Sequence, residues 1–226
     1  MKRELVLAGA LWAGLTVIGE LLAVFVDIYP TPKSDKGEDI DTAFRFLVYA
    51  AVPVFTFVVA ILIYSVLSHR ISDPSEGDGP PIQGRGAVPL AWFGVTASLT
   101  LIIMIYPGLI GIPDIVGHDD EEVDLVVEVT GFQWQWQFTY PEQQIDIFGS
   151  PGAIPIMVLP VGQNVRFDIT SVDVLHSFWV PAFRMKLDAV PGKITSFSLR
   201  PTEIGTFDDD PLMRVQCAEL CGLHHS

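Results

Sequence analysis

The sequence predicts a membrane-anchored all-β protein, in which two or three transmembrane helices precede a β-barrel or β-sandwich. Hydrophobic residues make up 50% of the 226-residue chain and the mean hydropathy is +0.42. That is too apolar for one ordinary soluble domain. The longest apolar stretches all lie before Pro113, and the acidic remainder shows the alternation of polar and apolar residues that is typical of strands.

Three apolar stretches approach or exceed the roughly 20 residues that a helix needs to cross a bilayer. They are Leu5–Val26, Phe46–Leu67 and Val88–Ile112, and Glu20 is their only charged residue. The second and third predict a transmembrane helical hairpin over residues 46–112. Residues 1–26 predict either a signal peptide or an extra transmembrane helix, because the apolar run is longer than a usual signal sequence and no clear A-x-A cleavage site follows it.

Charge predicts the orientation of the chain in the membrane. Lys2 and Arg3 favour a cytoplasmic N-terminus, which puts residues 113–226 on the outer side of a bacterial-type plasma membrane, as the extracytoplasmic (periplasmic) domain of a multi-pass protein. This domain has 17 acidic and 6 basic residues, a net charge of −11. Such acidity argues against binding nucleic acid or anionic lipid. It is compatible with a basic protein partner or with solubility alone.

The residues after Pro113 predict several short strands. Apolar residues alternate at Val123, Leu125, Val127 and Val129, and the segment NVRFDIT repeats the pattern. Further strands are expected at Ile156–Leu159 and Ile194–Leu199. In GFQWQWQFTY, strict alternation predicts one face that holds Phe132, Trp134, Trp136, Phe138 and Tyr140.

The end of the chain reads QCAELCGLHHS and contains both cysteines. Cys217, Cys221 and His225 follow a C-x3-C-x3-H spacing, and His176 follows a predicted strand upstream. Thiolate and imidazole ligands suit copper or zinc. A disulfide, which persists outside the cytoplasm, and a redox dithiol, usually C-x-x-C, remain alternatives. His69 and His118 are interpreted as bystanders.

QCAELCG with a histidine four residues after the second cysteine resembles the CuA loop of cytochrome c oxidase subunit II, the CuA-bearing subunit of haem–copper oxidases. DVLHSFWVP, KLDAVPGK and GFQWQW extend the resemblance in the family's order. It implies that residues 113–226 form a cupredoxin-like β-barrel or sandwich carrying a dinuclear copper centre, and that Trp134 is the tryptophan at which electrons enter.

The resemblance also implies the ligands of the two coppers: His176, Cys217, Cys221 and His225 through their side chains and Glu219 through its backbone carbonyl. The Glu219 side chain would bind Mg²⁺ shared with subunit I. The family's last ligand, a methionine, would fall beyond Ser226. Val172 stands where many members carry an acid that docks the donor, and Asp208, Asp209 and Asp210 add charge near the copper loop.

The implied function is that of an electron-transfer subunit of a proton-translocating terminal oxidase, with no catalytic residue in this chain. A soluble donor, such as cytochrome c or a blue copper protein, would pass electrons to this chain. The chain would then pass them to haem in subunit I for reduction of O2 to water. Other oxidase subunits and the membrane would be its partners. An alternative is a membrane-anchored copper chaperone or thiol oxidoreductase that uses C-x3-C. A quinol oxidase subunit is disfavoured because that branch lacks the two cysteines, and no C-x-x-C-H indicates a fused c-type haem.

Overall fold

The computed structural model describes residues 2–68, 84, 86–116, 122–149 and 154–222. The chain divides into a helical unit, residues 1–28 and 42–110, and a β unit, residues 29–41 and 111–226. The helices are α1 (Lys2–Phe25), α2 (Asp35–Ser68), α3 (Ala87–Ile103) and α4 (Gly111–Val116), and a π-helical turn, Met104–Leu109, lies between α3 and α4.

Three helical segments are long and apolar enough to cross a membrane, and they contain the three apolar stretches of the sequence almost entirely. They are Arg3–Phe25, Asp35–Ser68 and Ala87–Pro113. Helix α2 continues through Pro53. The third segment departs from helical geometry at Tyr106, where φ is −136° and ψ is 125°. These angles lie in the extended region that residues before a proline favour.

Helices α1 and α2 contact each other through polar groups as well as apolar ones. The Trp12 indole nitrogen donates to the Pro53 carbonyl at 2.9 Å, and the hydroxyls of Thr16 and Thr56 lie 2.7 Å apart. A Cβ at Gly19 would come within 2.8 Å of Val52 Cγ1. Small residues and hydrogen bonds of this kind hold helices together where the surroundings are apolar.

The β unit is a sandwich of two sheets. The larger sheet has the strand order β3-β2-β1-β4-β7, with β1 and β4 parallel, and the smaller sheet has the order β6-β5-β8. The strands are β1 (Leu125–Phe132), β2 (Gln135–Tyr140), β3 (Ile145–Phe148), β4 (Val165–Ser171), β5 (His176–Val180), β6 (Met185–Ala189), β7 (Thr195–Leu199) and β8 (Gln216–Cys217).

Phe178 lies at the centre of the core, where the two sheets face each other. Its ring is fully buried, and its centroid lies 5.5 Å from Trp136, 6.5 Å from Phe138 and 6.0 Å from Phe167, all on the larger sheet. Aromatic pairs at these separations add to the stability that burial provides. His176 is the first residue of the same strand as Phe178, so its position is fixed by this packed core.

The segment GFQWQWQFTY is a hairpin and not one continuous strand. Gly131 pairs with Trp136 and Phe132 with Gln135, so odd-numbered residues of β1 share a face with even-numbered residues of β2. Trp136, Phe138 and Tyr140 therefore lie in the core, as expected. Phe132 instead stacks on Phe148 at 5.1 Å, and Trp134 is 50% exposed in the turn. The prediction that Phe132 and Trp134 lie on the same face as Trp136, Phe138 and Tyr140 was wrong.

Two other strand predictions have different outcomes. Residues 195–199 form β7, as expected from the apolar alternation there. Residues 156–159 form no strand, although Met157 and Leu159 pack against the core. The Val158 backbone is held instead by the Tyr140 hydroxyl, which accepts from its nitrogen and donates to its oxygen, both at 2.9 Å.

Residues 29–41, expected to be part of a polar connector, pack onto the β unit. The Arg184 guanidinium binds the Asp41 carboxylate through two hydrogen bonds, at 2.7 and 2.9 Å. It also donates to the carbonyls of Pro181 and Pro30. The buried Ser34 hydroxyl donates to the Phe183 carbonyl at 2.9 Å. These contacts fix the segment to the sandwich.

The Asp41–Arg184 pair predicts a large loss of stability when it is broken. The two side chains are only 9% and 14% exposed, so Asp41→Asn leaves a buried guanidinium without its counter-charge, at a cost of about 3 kcal/mol. The matched control is Lys33→Met. It removes an ion pair with Glu203, whose side chain is 48% exposed, and should cost no more than about 1 kcal/mol. Thermal unfolding of the full chain in detergent, followed by tryptophan fluorescence, measures both, and equal effects would contradict the prediction.

Candidate metal centre

Three ligand-type side chains from separate parts of the β unit meet at one end of the sandwich. His176 begins β5, Cys217 ends β8, and Cys221 lies in the loop that follows. Strands β5 and β8 are paired, with Phe178 opposite Cys217, which brings the histidine end of β5 beside the cysteines. The imidazole nitrogen and the two sulfur atoms all lie within 4.8 Å of one another.

A carboxylate fixes the orientation of the His176 ring. His176 Nε2 lies 2.9 Å from Asp173 Oδ1. Because an ionised carboxylate only accepts hydrogen bonds, we assign the proton to Nε2, which leaves the Nδ1 lone pair directed toward Cys217 Sγ at 3.9 Å. This carboxylate–histidine arrangement is the one that orients histidine ligands in metal sites.

Several donors keep Asp173 ionised. Partial burial alone would raise its pKa, but hydrogen bonds from His176 and from the backbone nitrogens of Gln133 and Val174 outweigh that effect and lower the pKa to about 2. The Gln133 nitrogen donates to Oδ2 at 2.7 Å. The carboxylate is therefore negative throughout the physiological pH range and ready to stabilise positive charge on His176 or on a bound ion.

The two cysteines lie in different surroundings. Their sulfur atoms are 3.5 Å apart, well beyond the length of about 2.05 Å of a disulfide bond. Cys217 is partly exposed, whereas Cys221 is 6% exposed. Burial, followed by the hydrogen bond and the charge of Cys217, raises the pKa of the Cys221 thiol to about 11. Without a metal ion, the Cys221 sulfur is thus a protonated and sheltered thiol at neutral pH.

Backbone oxygens of the cysteine loop are part of the same arrangement. The Cys221 carbonyl accepts from Gln133 Nε2 at 2.9 Å and from Trp134 Nε1 at 3.2 Å. The Glu219 carbonyl lies 3.5 Å from Cys217 Sγ, beside the sulfur atoms. The Glu219 side chain is exposed and accepts from the Leu220 nitrogen at 3.0 Å.

The chemistry of these donors fits copper. Two thiolates and an imidazole are soft or borderline ligands that copper prefers. An ion about 2.3 Å from each sulfur, the metal–thiolate distance of zinc sites, would span the 3.5 Å between the sulfur atoms. Zinc can use the same donor types, so the geometry indicates a thiolate–imidazole metal site and does not by itself select the metal.

Of the residues predicted from the sequence, three converge: His176, Cys217 and Cys221. Trp134 contacts the cysteine loop, and Glu219 lies within that loop. His225 lies outside the described residues, as do His224, His69 and His118. Gln133 was missed, because it read as one member of a polar stripe. Asp173 was not predicted as a partner of His176, although its place three residues before His176 is a spacing that lets the two side chains meet.

Exposure and pKa predict that the two thiols react at different rates in the metal-free chain. Iodoacetamide at pH 8 should alkylate Cys217 several-fold faster than Cys221, since only thiolates react and Cys221 is both buried and protonated at that pH. Mass spectrometry of the peptide after Arg214 separates the two products. In denaturant the two rates should become equal, and equal rates in the native chain would contradict the prediction.

Comparison with known proteins identifies the family. The profile described as "Cytochrome C oxidase subunit II, periplasmic domain" matches residues 153–226. "Alternative cytochrome c oxidase subunit 2" of Bradyrhizobium diazoefficiens is 30% identical, over 97% of this chain and 84% of its own length. "Cytochrome c oxidase subunit 2" of Thermostichus vulcanus is 28% identical, over 88% of this chain and 72% of its own. The crystal structure of the periplasmic domain of subunit II of cytochrome oxidase of Bradyrhizobium japonicum is 31% identical, covering 46% of this chain and 79% of its own, with a TM-score of 0.39.

The profile and the two related subunits agree with the apolar helices and with the β sandwich that follows them. Together they describe a membrane protein with an extracytoplasmic, cupredoxin-like C-terminal domain that acts within an oxidase complex. The chain belongs to the cytochrome c oxidase subunit 2 family and is a subunit of a terminal oxidase.

Proposed function

We propose that this chain is the electron-accepting subunit of its oxidase and that it holds a dinuclear copper centre of the CuA type. The observation that carries the proposal is the convergence of His176 Nδ1, Cys217 Sγ and Cys221 Sγ within 4.8 Å of one another at one end of the sandwich. His225 through its side chain and Glu219 through its carbonyl are the other proposed ligands of this chain. Copper held in this way supplies a one-electron redox site.

The residues around the cluster support this role by limiting how much the site rearranges. Asp173 fixes the His176 ring, β5 and β8 pair beside Phe178, and the Cys221 carbonyl is held by two donors. A ligand set held by packed strands and hydrogen bonds keeps its geometry when its charge changes. That rigidity is what an electron-transfer site requires and what a site for thiol exchange does not.

Trp134 is the residue at which we propose that electrons enter. Its ring is 50% exposed, and its nitrogen donates to the Cys221 carbonyl at 3.2 Å. One end of the side chain thus faces solvent while the other touches the cysteine loop. A soluble carrier such as cytochrome c or a blue copper protein would dock there, and electrons would pass to haem in subunit I for reduction of O2 to water.

The proposal also covers the parts of the chain that meet the membrane and the partner subunits. Residues 46–112 form the transmembrane hairpin, residues 1–26 an additional transmembrane helix, and residues 113–226 the extracytoplasmic copper domain. The contacts between α1 and α2 support a lasting role for the first helix. The exposed Glu219 carboxylate is open to a partner subunit, and its proposed role is to bind Mg²⁺ shared with subunit I.

Metal content and spectroscopy test the copper proposal directly. The full chain, purified in detergent, reduced and incubated with copper, should bind two coppers per chain and give an EPR signal of one unpaired electron shared by both. Cys217→Ser should lose that signal while the chain remains folded by circular dichroism. A single mononuclear copper, zinc alone, or a Cys217–Cys221 disulfide that persists under reduction would overturn the proposal, and the last result would favour a thiol oxidoreductase.

The proposed place of electron acceptance predicts a selective kinetic defect. Trp134→Phe should slow reduction of the copper centre by a soluble cytochrome c by about tenfold, as loss of an interface hot spot does. The copper content should stay at two per chain, because Gln133 still donates to the Cys221 carbonyl. Stopped-flow kinetics measure the rate, and dithionite is the control reductant because it needs no docking surface. Loss of copper would contradict the assigned role.

A further inference from the structure

The Cys221 carbonyl oxygen lies where two side-chain donors converge. Gln133 Nε2 donates to it at 2.9 Å and Trp134 Nε1 at 3.2 Å, so both of its lone pairs are used. The indole also lies against the backbone one residue on. A Cβ at Gly222 would collide with Trp134 Nε1 and lie 3.0 Å from Trp134 Cε2. The turn between β1 and β2 therefore covers the cysteine loop directly.

Gln133 reaches the histidine side of the site as well. Its backbone nitrogen donates to Asp173 Oδ2 at 2.7 Å, and Asp173 Oδ1 lies 2.9 Å from His176 Nε2. The main chain of Gln133 thus contacts the carboxylate that orients His176, while its side chain holds the carbonyl of Cys221. Among the described residues around the site, Gln133 forms hydrogen bonds both with Asp173, which orients His176, and with the Cys221 carbonyl.

We propose that Gln133 is a positioning residue that fixes Cys221 relative to His176 and tunes the site that they share. The inference rests on the proposed copper function for its metal readouts only. The Gln133 carboxamide fixes the position of the Cys221 carbonyl relative to the Asp173–His176 pair. The spacing between Cys221 and His176 therefore does not depend on the cysteine loop alone. The positive end of the Gln133 N–H dipole also points toward the Cys221 carbonyl, where it would favour the reduced state of a metal bound beside it.

A simpler explanation is that Gln133 only fills space beneath the loop. The two explanations differ for an isosteric change. Gln133→Glu keeps the shape, so a packing role predicts a mild effect. At pH 7 the introduced carboxylate is ionised, has no proton to donate and repels the Cys221 carbonyl, so the positioning role predicts an effect at least as large as that of Gln133→Leu. Gln137→Leu is the matched control, because it makes the same substitution in the same hairpin at a side chain that bonds only weakly to Thr139, at 3.5 Å.

The first measurement needs no metal. In the reduced, metal-free full chain in detergent, Gln133→Leu and Gln133→Glu should raise the rate of Cys221 alkylation about two- to tenfold, the loss expected for one hydrogen bond. Gln137→Leu should match the wild type. Circular dichroism and melting temperature check the fold of each variant. If Gln133→Leu does not fold, the comparison of Gln133→Glu with Gln137→Leu decides the outcome.

The second measurement uses copper. Both Gln133 variants should release copper to a chelator about tenfold or more faster than the wild type, as losses of outer-shell partners do, and their reduction potentials should shift to more negative values. Unchanged alkylation, copper release and potential in Gln133→Glu would overturn the positioning role. If the wild type binds no copper pair but Cys221 protection still depends on Gln133, the copper proposal fails and the positioning role stands.

Discussion

The hydrogen bonds of the Asp173 carboxylate are the constraint on which the rest of the site depends. One oxygen lies 2.9 Å from His176 Nε2 and the other accepts from the Gln133 nitrogen at 2.7 Å. The charge stays on Asp173 because these donors lower its pKa to about 2, against the effect of burial. Since the imidazole then has its proton on Nε2, its other nitrogen is free of a proton and faces the cysteines. One ionised side chain thus determines the direction from which the histidine would bind a metal ion.

The sandwich makes this arrangement rigid by packing the site against its aromatic core. Gly131 lies beneath the His176 ring, where a Cβ would come within 3.0 Å of the Trp136 ring and 3.1 Å of the imidazole. The absence of a side chain there lets the two rings approach, with centroids 5.9 Å apart. Trp136 then contacts Phe178 at the core centre. The ligand and the core therefore form one packed layer, and His176 cannot move without disturbing the aromatic residues behind it.

The sequence was sufficient for the class of fold and for singling out three side chains, His176, Cys217 and Cys221, that meet in the structure. These follow from composition, alternation and spacing. It was not sufficient for the hairpin at residues 133–134. The alternation of glutamine and aromatic residues runs unbroken through the turn, so a sequence pattern of period two fits one strand and two paired strands equally well. The pairing of Phe132 with Gln135 settles the difference. That turn is also what exposes Trp134 and brings Gln133 to Cys221, so the support of the site depends on a feature that local pattern does not encode.

The acidic residues near the cysteine loop have structural roles that their charge alone would not suggest. Asp209 accepts from the nitrogen and hydroxyl of Thr206, and Asp210 accepts from the Leu212 nitrogen at the start of a short 3-10 helix. Carboxylates used as caps of turns and helices are partly neutralised by the N–H groups that they bind.

Beside the site itself, Val172 is 70% exposed and Leu220 is 92% exposed. Exposed apolar side chains thus lie next to Asp173 and Cys221 in the chain, while the Asp173 carboxylate is already bonded to His176. A redox partner that docked at this end of the sandwich would therefore meet exposed apolar side chains as well as the exposed Glu219 carboxylate.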